Sequence, residues 1–172
     1  MMRTLVTYYT DSGNTKKVAD AIFGAIEGDK EIHPIADVDS IDDYDFIFVG
    51  SPMHGFGLNE KAKEFIDGKA KGKNIALFVT HACPEEAVGQ LQPWLDTCKK
   101  EAAATNLAGF FNCQGEMHKD LAEYMMKMDD PRMVRWGSHR HMTLGQPDET
   151  RLERARSFAR EVMSELGPPS RN

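Results

Sequence analysis

The chain is poor in cysteine: among its 172 residues only Cys83, Cys98 and Cys113 occur, and no two stand at CxxC spacing. Three is neither an even count nor a density that builds a disulfide framework, and without CxxC pairs a zinc or iron–sulfur site has little support. No apolar run approaches the roughly 18–20 residues that cross a bilayer, and the first residues read as a strand instead of a signal peptide. A cytoplasmic protein without a membrane partner is the expectation. Basic residues are outnumbered, 21 Lys+Arg against 27 Asp+Glu, for a formal net charge of −6. That balance argues against nucleic acid, whose phosphates call for a basic patch, and suits docking onto basic patches of other proteins. Internal repeats and low-complexity segments are absent. What is present, 41% hydrophobic and 28% charged residues, is ordinary globular composition, and the length fits one domain with a sizeable core.

The most informative stretch follows a short β-branched and aromatic run, Thr4-Leu5-Val6-Thr7-Tyr8-Tyr9, which reads as a buried strand. Beyond it, Lys16 to Ile26 places Val18, Ala19, Ile22 and Ile26 on one helical face. Between the two stands Thr10-Asp11-Ser12-Gly13-Asn14-Thr15: three hydroxyls, an amide and a glycine. An ordinary strand-to-helix turn needs one capping hydroxyl. A phosphate needs the fuller set: free backbone N–H groups, several donors, no bulk at the closest approach and the positive end of a helix. A Gly-Lys-Ser/Thr ending and a three-glycine dinucleotide fingerprint are both missing.

Strands and helices alternate along the chain, so a mainly parallel α/β sheet is expected. The first strand spans roughly 3–9 and the first helix roughly 14–27. Glu31-Ile32-His33-Pro34-Ile35 makes a short second strand whose proline points to an edge. Asp45 to Gly50 and Asn74 to Thr80 are continuously apolar and read as strands buried on both faces. Pro84 is expected to open a helix running to about Ala104, with Glu85 and Glu86 in its first turn. Leu107 to Asn112 is the fifth strand. A last helix over roughly 148–166 stops at Gly167-Pro168-Pro169, followed by a frayed tail. The strand order 2-1-3-4-5 would put a ligand crevice at the carboxyl ends of strands one and three. The loops there, residues 50–57, 80–84 and 112–116, offer glycines with Met, His and Phe to a flat ring. Residues 117–147 form a long connection. His118 to Met128 reads as a short Met-rich helix broken by Asp129-Asp130-Pro131, with no clear regular structure from Arg132 through Thr143. Leaving from the fifth strand, this connection is expected over the ligand, where Met125, Met126, Met128, Met133, Trp136 and Met142 suit a cover.

The pattern Thr/Ser-x-Thr/Ser-Gly-x-Thr, carried by Thr10, Ser12, Gly13 and Thr15, resembles the FMN phosphate loop of the flavodoxin family. Gly50-Ser51-Pro52 resembles the second flavin loop of a flavodoxin subgroup, and Phe110-Phe111-Asn112-Cys113-Gln114-Gly115-Glu116 resembles its fifth-strand exit. The resemblance covers about residues 1–116 and the final helix. It implies a flavodoxin-like three-layer α/β sandwich around a five-stranded parallel sheet, one domain over 1–172 with 117–147 as an insertion. It implies FMN as cofactor. Thr10, Asp11, Ser12, Gly13, Asn14 and Thr15 would hold the phosphate. Pro52, Met53, His54, Gly55, Phe56, Gly57, Thr80, His81, Ala82, Cys113, Gln114 and Gly115 would surround the ring, with the Gly55–Gly57 backbone facing the flavin N5. Many flavodoxins place a Trp or Tyr against the ring. The second loop has neither, so Phe56, Met53 or Trp136 would take that place. The implied function is an electron carrier between a reductase and an acceptor enzyme. An FMN-dependent NAD(P)H oxidoreductase with Arg135, His139 or Arg140 in its pocket is one alternative, and a flavin-free interaction domain is another.

The remaining candidates carry less. His54 and His81 fall in the ring loops, where an imidazole would stabilise negative charge on a reduced flavin or simply face solvent. His139 and His141 stand two apart with no third metal ligand at a typical spacing. Cys83 lies at an expected helix start, which lowers a thiol pKa, but Glu85 and Glu86 oppose that. Asp42, Asp43 and Asp45 precede the third strand and so do not form a phosphoacceptor cluster.

Overall fold

In a computed structural model, which describes residues 1–167, the apolar runs pair as parallel strands. β1 (Arg3–Tyr8) lies between β2 (Asp29–Pro34) and β3 (Phe46–His54), which turns back through the two-residue β4 (Gly57–Leu58); β5 (Asn74–His81) and β6 (Asn106–Gln114) continue the sheet beyond β3. The parallel order is β2-β1-β3-β5-β6, with β4 antiparallel on β3. This is the expected flavodoxin-like order with one small strand added, and Pro34 does end an edge strand.

Side-chain alternation in the strands sets the layers. Phe46 and Phe48 of β3, Val6 of β1 and Phe78 of β5 face one side. There they pack on Val18, Ala19 and Ile22 of α1 (Asn14–Ala25) and on Ala155, Ala159 and Val162 of the last helix (Glu149–Leu166). Ile47, Val49, Leu5, Ile75 and Leu77 face the other side, against Phe65 and Ile66 of α2 (Glu60–Gly68) and Cys98 of α3 (Val88–Glu101). Each fully buried large side chain stabilises the fold by roughly 1.5–3 kcal/mol, so both faces of the central strands are committed to helices.

Besides the third strand, which runs on to His54 where a loop from residue 50 is expected, the structure departs from the sequence reading in four places. The helix α2 goes unmentioned there, although Asn59, whose side chain accepts from the Lys61 N–H, caps an Ala62/Phe65/Ile66 face. The helix expected from Pro84 begins only at Val88 and ends at Glu101. Its intended first-turn acid, Glu85, is drawn off to the Gln114 N–H and to Arg151 and Arg154. The second strand starts two residues early and gives way at Ile35 to a 3₁₀ turn over Ile35–Asp37.

The fourth departure is the stretch from Arg132, which is regular. After α4 (Lys119–Met126) come α5 (Pro131–Ser138) and a 3₁₀ turn over Arg140–Thr143, ahead of α6 (Glu149–Leu166). Side chains start both of the first two helices: His118 accepts from the Asp120 N–H and Asp130 from the Arg132 N–H. The helix stop at Gly167 is present, while the Pro168-Pro169 tail lies outside the described residues.

Candidate functional site

The carboxyl ends of β1, β3, β5 and β6 gather two features side by side, a hydroxyl-rich loop and an apolar cleft. The loop is residues 10–15. Gly13 caps α1 with φ +94°, a left-handed conformation that L side chains rarely adopt, and an added Cβ would meet nothing within 4 Å. Glycine is therefore required there by backbone conformation and not by contact with a neighbouring protein atom. Thr10 Oγ1 accepts from the Gly13 N–H at 2.9 Å. Thr15 is fully buried, and its hydroxyl lies 2.9 Å from that of Thr80 at the end of β5. Ser12 is exposed. Asn14 Nδ2 donates to the Glu116 carbonyl at 2.9 Å, and Gly115 is needed there because a Cβ would stand 2.6 Å from that same amide.

Asp11 joins the loop to the cleft. One of its carboxylate oxygens accepts from the Tyr9 hydroxyl at 2.8 Å, and the other lies 2.7 Å from His54 Nε2. His54 in turn meets Asn59 through Nδ1 at 2.9 Å. His54 and Gly57 pair across the β3–β4 hairpin, leaving Gly55 and Phe56 as its two-residue turn. Both have positive φ, 54° and 69°, as a type I′ turn requires. Phe56 is a bulky residue in a position that favours glycine, at a cost of about 1–2 kcal/mol. Its ring is held by Trp94 of α3 at 4.6 Å, and Trp136 of α5 packs edge-on against Trp94 at 5.4 Å.

The cleft has a volume of about 1450 Å³. Met53, His54, Gly55 and Phe56 line it from the hairpin, His81, Ala82 and Cys83 from the end of β5, and Gln114 from the end of β6. Its opposite wall comes from α3 and from residues 117–147, with Trp94, Met117, Leu121, Met125, Met133 and Trp136. The 117–147 segment is tied to the end of β6. Arg140 donates to the Met117 carbonyl and to Glu116, Glu116 also accepts from the Gly145 N–H, and the Met117 N–H donates to Thr143.

His81 is buried between the Cys83 carbonyl at 3.0 Å and the Asn112 side chain at 2.9 Å. Burial lowers its pKa, outweighing those contacts, so the ring is neutral at pH 7, with both of its nitrogens already engaged. Burial pushes the Cys113 and Cys98 thiols up to about 12 and also raises Cys83, which removes the activated-thiol reading.

Of the ring residues named from sequence, the structure brings Met53, His54, Gly55, Phe56, His81, Ala82 and Gln114 to the cleft. Others do not line it. Pro52 is held in the strand, with its carbonyl accepting from the Asn59 N–H. Gly57 lies against the Glu101 carboxylate, and Cys113 is wholly inside the core, on the face of β6 packed with α1 and α6 residues. Thr80 serves the phosphate-loop side through Thr15. Gly115 lies against Asn14. Arg135 and His139 border the cleft, whereas Arg140 is spent on the Glu116 tether. Trp94 was missed. Its signal is spacing: with Leu91 and Leu95 it gives α3 an apolar end facing the second loop.

A flavodoxin-domain profile matches residues 5–160. The chain belongs to the flavodoxin-domain family. This flavodoxin-domain chain is 28% identical over 174 residues to the flavodoxin-like domain-containing protein BilS of Clostridioides difficile strain CD3, covering 94% of the chain and 97% of that protein. Among solved structures it superposes on an archaeal flavodoxin with a TM-score of 0.58 at 18% identity, over 96% of this chain and 99% of the other. It superposes on oxidised flavodoxin 2 of Bacillus cereus with a TM-score of 0.57 at 19% identity, over 95% and 99%. A flavoprotein of Lactobacillus acidophilus solved in complex with FMN gives a TM-score of 0.52 at 22% identity, over 65% and 93%.

Proposed function

We propose that this flavodoxin-domain protein binds FMN and carries electrons between a reductase and an acceptor protein. The observation that carries the reading is the glycine-capped hydroxyl loop at the N-terminus of α1, set beside an apolar cleft at the same end of the sheet. Such a place, where strand order reverses, is where open α/β sheets bind ligands. The residues fit the group. Thr15, wholly buried, braces the loop through its hydrogen bond with the Thr80 hydroxyl. Ser12 and the N–H groups that open α1 add uncharged donors, which the helix dipole reinforces. Met53 to Phe56, Ala82 and Gln114 would flank the ring, with His81 fixed in place by the Cys83 carbonyl and the Asn112 side chain. FMN, when bound, supplies one- and two-electron transfer, while the protein sets affinity, orientation and potential. The net charge of −6 lowers the potential and steers basic partners. The FMN complex known for the Lactobacillus flavoprotein supports the cofactor assignment. No helix among the described residues is long and apolar enough to cross a membrane.

The deciding experiment is the visible spectrum of the purified protein with and without added FMN. A flavin band that stays with the protein through gel filtration supports the reading. A colourless protein that leaves FMN fluorescence unquenched refutes it and favours an interaction domain. The size of the cleft and its borders at Arg135 and His139 favour a second reading, an FMN-dependent oxidoreductase acting on a small molecule. Steady oxidation of NADPH by the FMN-loaded protein alone would decide for that one.

A further inference from the structure

We propose that the outer end of the cleft is a binding chamber for a second small molecule, an aromatic, largely apolar body carrying a negative charge. The inference rests on the flavin reading only for what fills the inner end. At about 1450 Å³ the cleft exceeds the roughly 300–1,000 Å³ of ordinary small-molecule sites. The loops at the ends of β3, β5 and β6 account for the inner part. Away from those loops the wall is formed by Met117, Met125, Met133, Trp136 and Met142, with Trp94 standing between Trp136 and Phe56. Indole faces and flexible thioethers give such a chamber adaptable contact with a flat apolar ligand.

Charge supplies the second half of the description. The lining includes Arg132 and Arg135, both from α5, and no Asp or Glu. Arg132 is held two-pronged by Asp130, Nε at 3.2 Å and a terminal nitrogen at 2.9 Å. Arg135 makes no ion pair among the described residues. An unpaired guanidinium beside an apolar chamber recognises a carboxylate, sulfonate or phosphate oxygen through paired N–H donors. The contrast with the rest of the chain points the same way. Residues 117–147 hold five Lys+Arg against four Asp+Glu, within a chain of net charge −6.

Both tryptophans of the chain lie in this wall, so their fluorescence reports on the chamber directly. The probe is 8-anilinonaphthalene-1-sulfonate, an aromatic sulfonate, with neutral N-phenyl-1-naphthylamine as its uncharged counterpart. One equivalent of the sulfonate is expected to quench tryptophan emission in the apo protein and in the FMN-loaded protein alike. Arg135→Gln is expected to weaken sulfonate binding about tenfold, the effect of losing one charge-assisted contact, and Arg135→Lys to restore part of it. Arg132→Gln, whose arginine is already paired, is expected to change it less than about twofold. The neutral probe is expected to bind Arg135→Gln as it binds the parent, and FMN affinity, read separately by flavin fluorescence, to stay unchanged in every variant. The proposal is overturned if the sulfonate fails to quench the tryptophans, if Arg135→Gln leaves its affinity intact, or if FMN displaces it. Failure of FMN to bind the parent protein would instead refute the flavin reading and leave the probe result to stand by itself.

Discussion

Gly13→Ala separates the backbone role of the first loop from its role toward a ligand. Gly13 holds φ +94° and ψ −5°, and a Cβ built on it meets no atom within 4 Å. Without a clash, the apo protein loses only the left-handed backbone penalty, about 1–2 kcal/mol. For a chain of this size each kcal/mol lowers Tm by roughly 2–4 °C, so a fall of about 2–8 °C is expected in a thermal melt without flavin. Binding is expected to suffer separately if, as proposed, a phosphate approaches the N–H groups that open α1, because a methyl group on residue 13 then crowds that approach. Losing one hydrogen bond to a charged phosphate costs about 1.5–3 kcal/mol, which raises the Kd for FMN tenfold or more. Gly13→Asn is the control, since asparagine enters the left-handed region with less strain. It is expected to melt close to the parent while still binding FMN weakly. Titration by quenching of flavin fluorescence measures the affinities. A Gly13→Ala protein that melts lower but binds FMN as tightly as the parent would refute the phosphate cradle. One that melts unchanged would refute the left-handed cap.

Three further outcomes are expected. Thr15→Val should destabilise the apo protein by about 1–3 kcal/mol in urea, because it leaves the buried Thr80 hydroxyl without its partner, and adding Thr80→Val should recover part of that loss; a double variant no more stable than Thr15→Val argues against the pair. His81 has a pKa lowered by burial, so the stability it contributes is present above its ordinary value near 6.5 and is lost as pH falls towards its folded value. Between pH 7.5 and 5, His81→Gln should therefore show a flatter Tm profile than the parent, and parallel profiles would count against the assignment. Burial raises all three thiols, with Cys98 and Cys113 at about 12, so an aromatic disulfide reagent at pH 8 should label the native protein slowly and Cys83, at the cleft, first. Rapid labelling of all three would contradict the packing.

The parallel sheet and the first loop were legible because their causes are local. An uninterrupted apolar strand can only be buried on both faces, and a glycine among hydroxyls before an amphipathic helix marks an open N-terminus whatever lies around it. The caps at Asn59, His118 and Asp130 were equally local, and α2 and α5 were there to be read from them. Other features depended on partners far away in sequence. Glu85 abandons the start of α3 because Arg151 and Arg154, more than sixty residues on, offer a stronger partner than a helix dipole does. Cys113 is closed into the core because α1 and α6, far from it in sequence, cover its face of β6. Trp94 joins Phe56 and Trp136 only when α3 and α5 converge over the hairpin, and the chamber they wall exists in no single segment. Periodicity and capping act within a few residues and are written in the chain. Which charge finds which partner, and which apolar faces enclose a space, are settled by the sheet that brings distant segments within contact range.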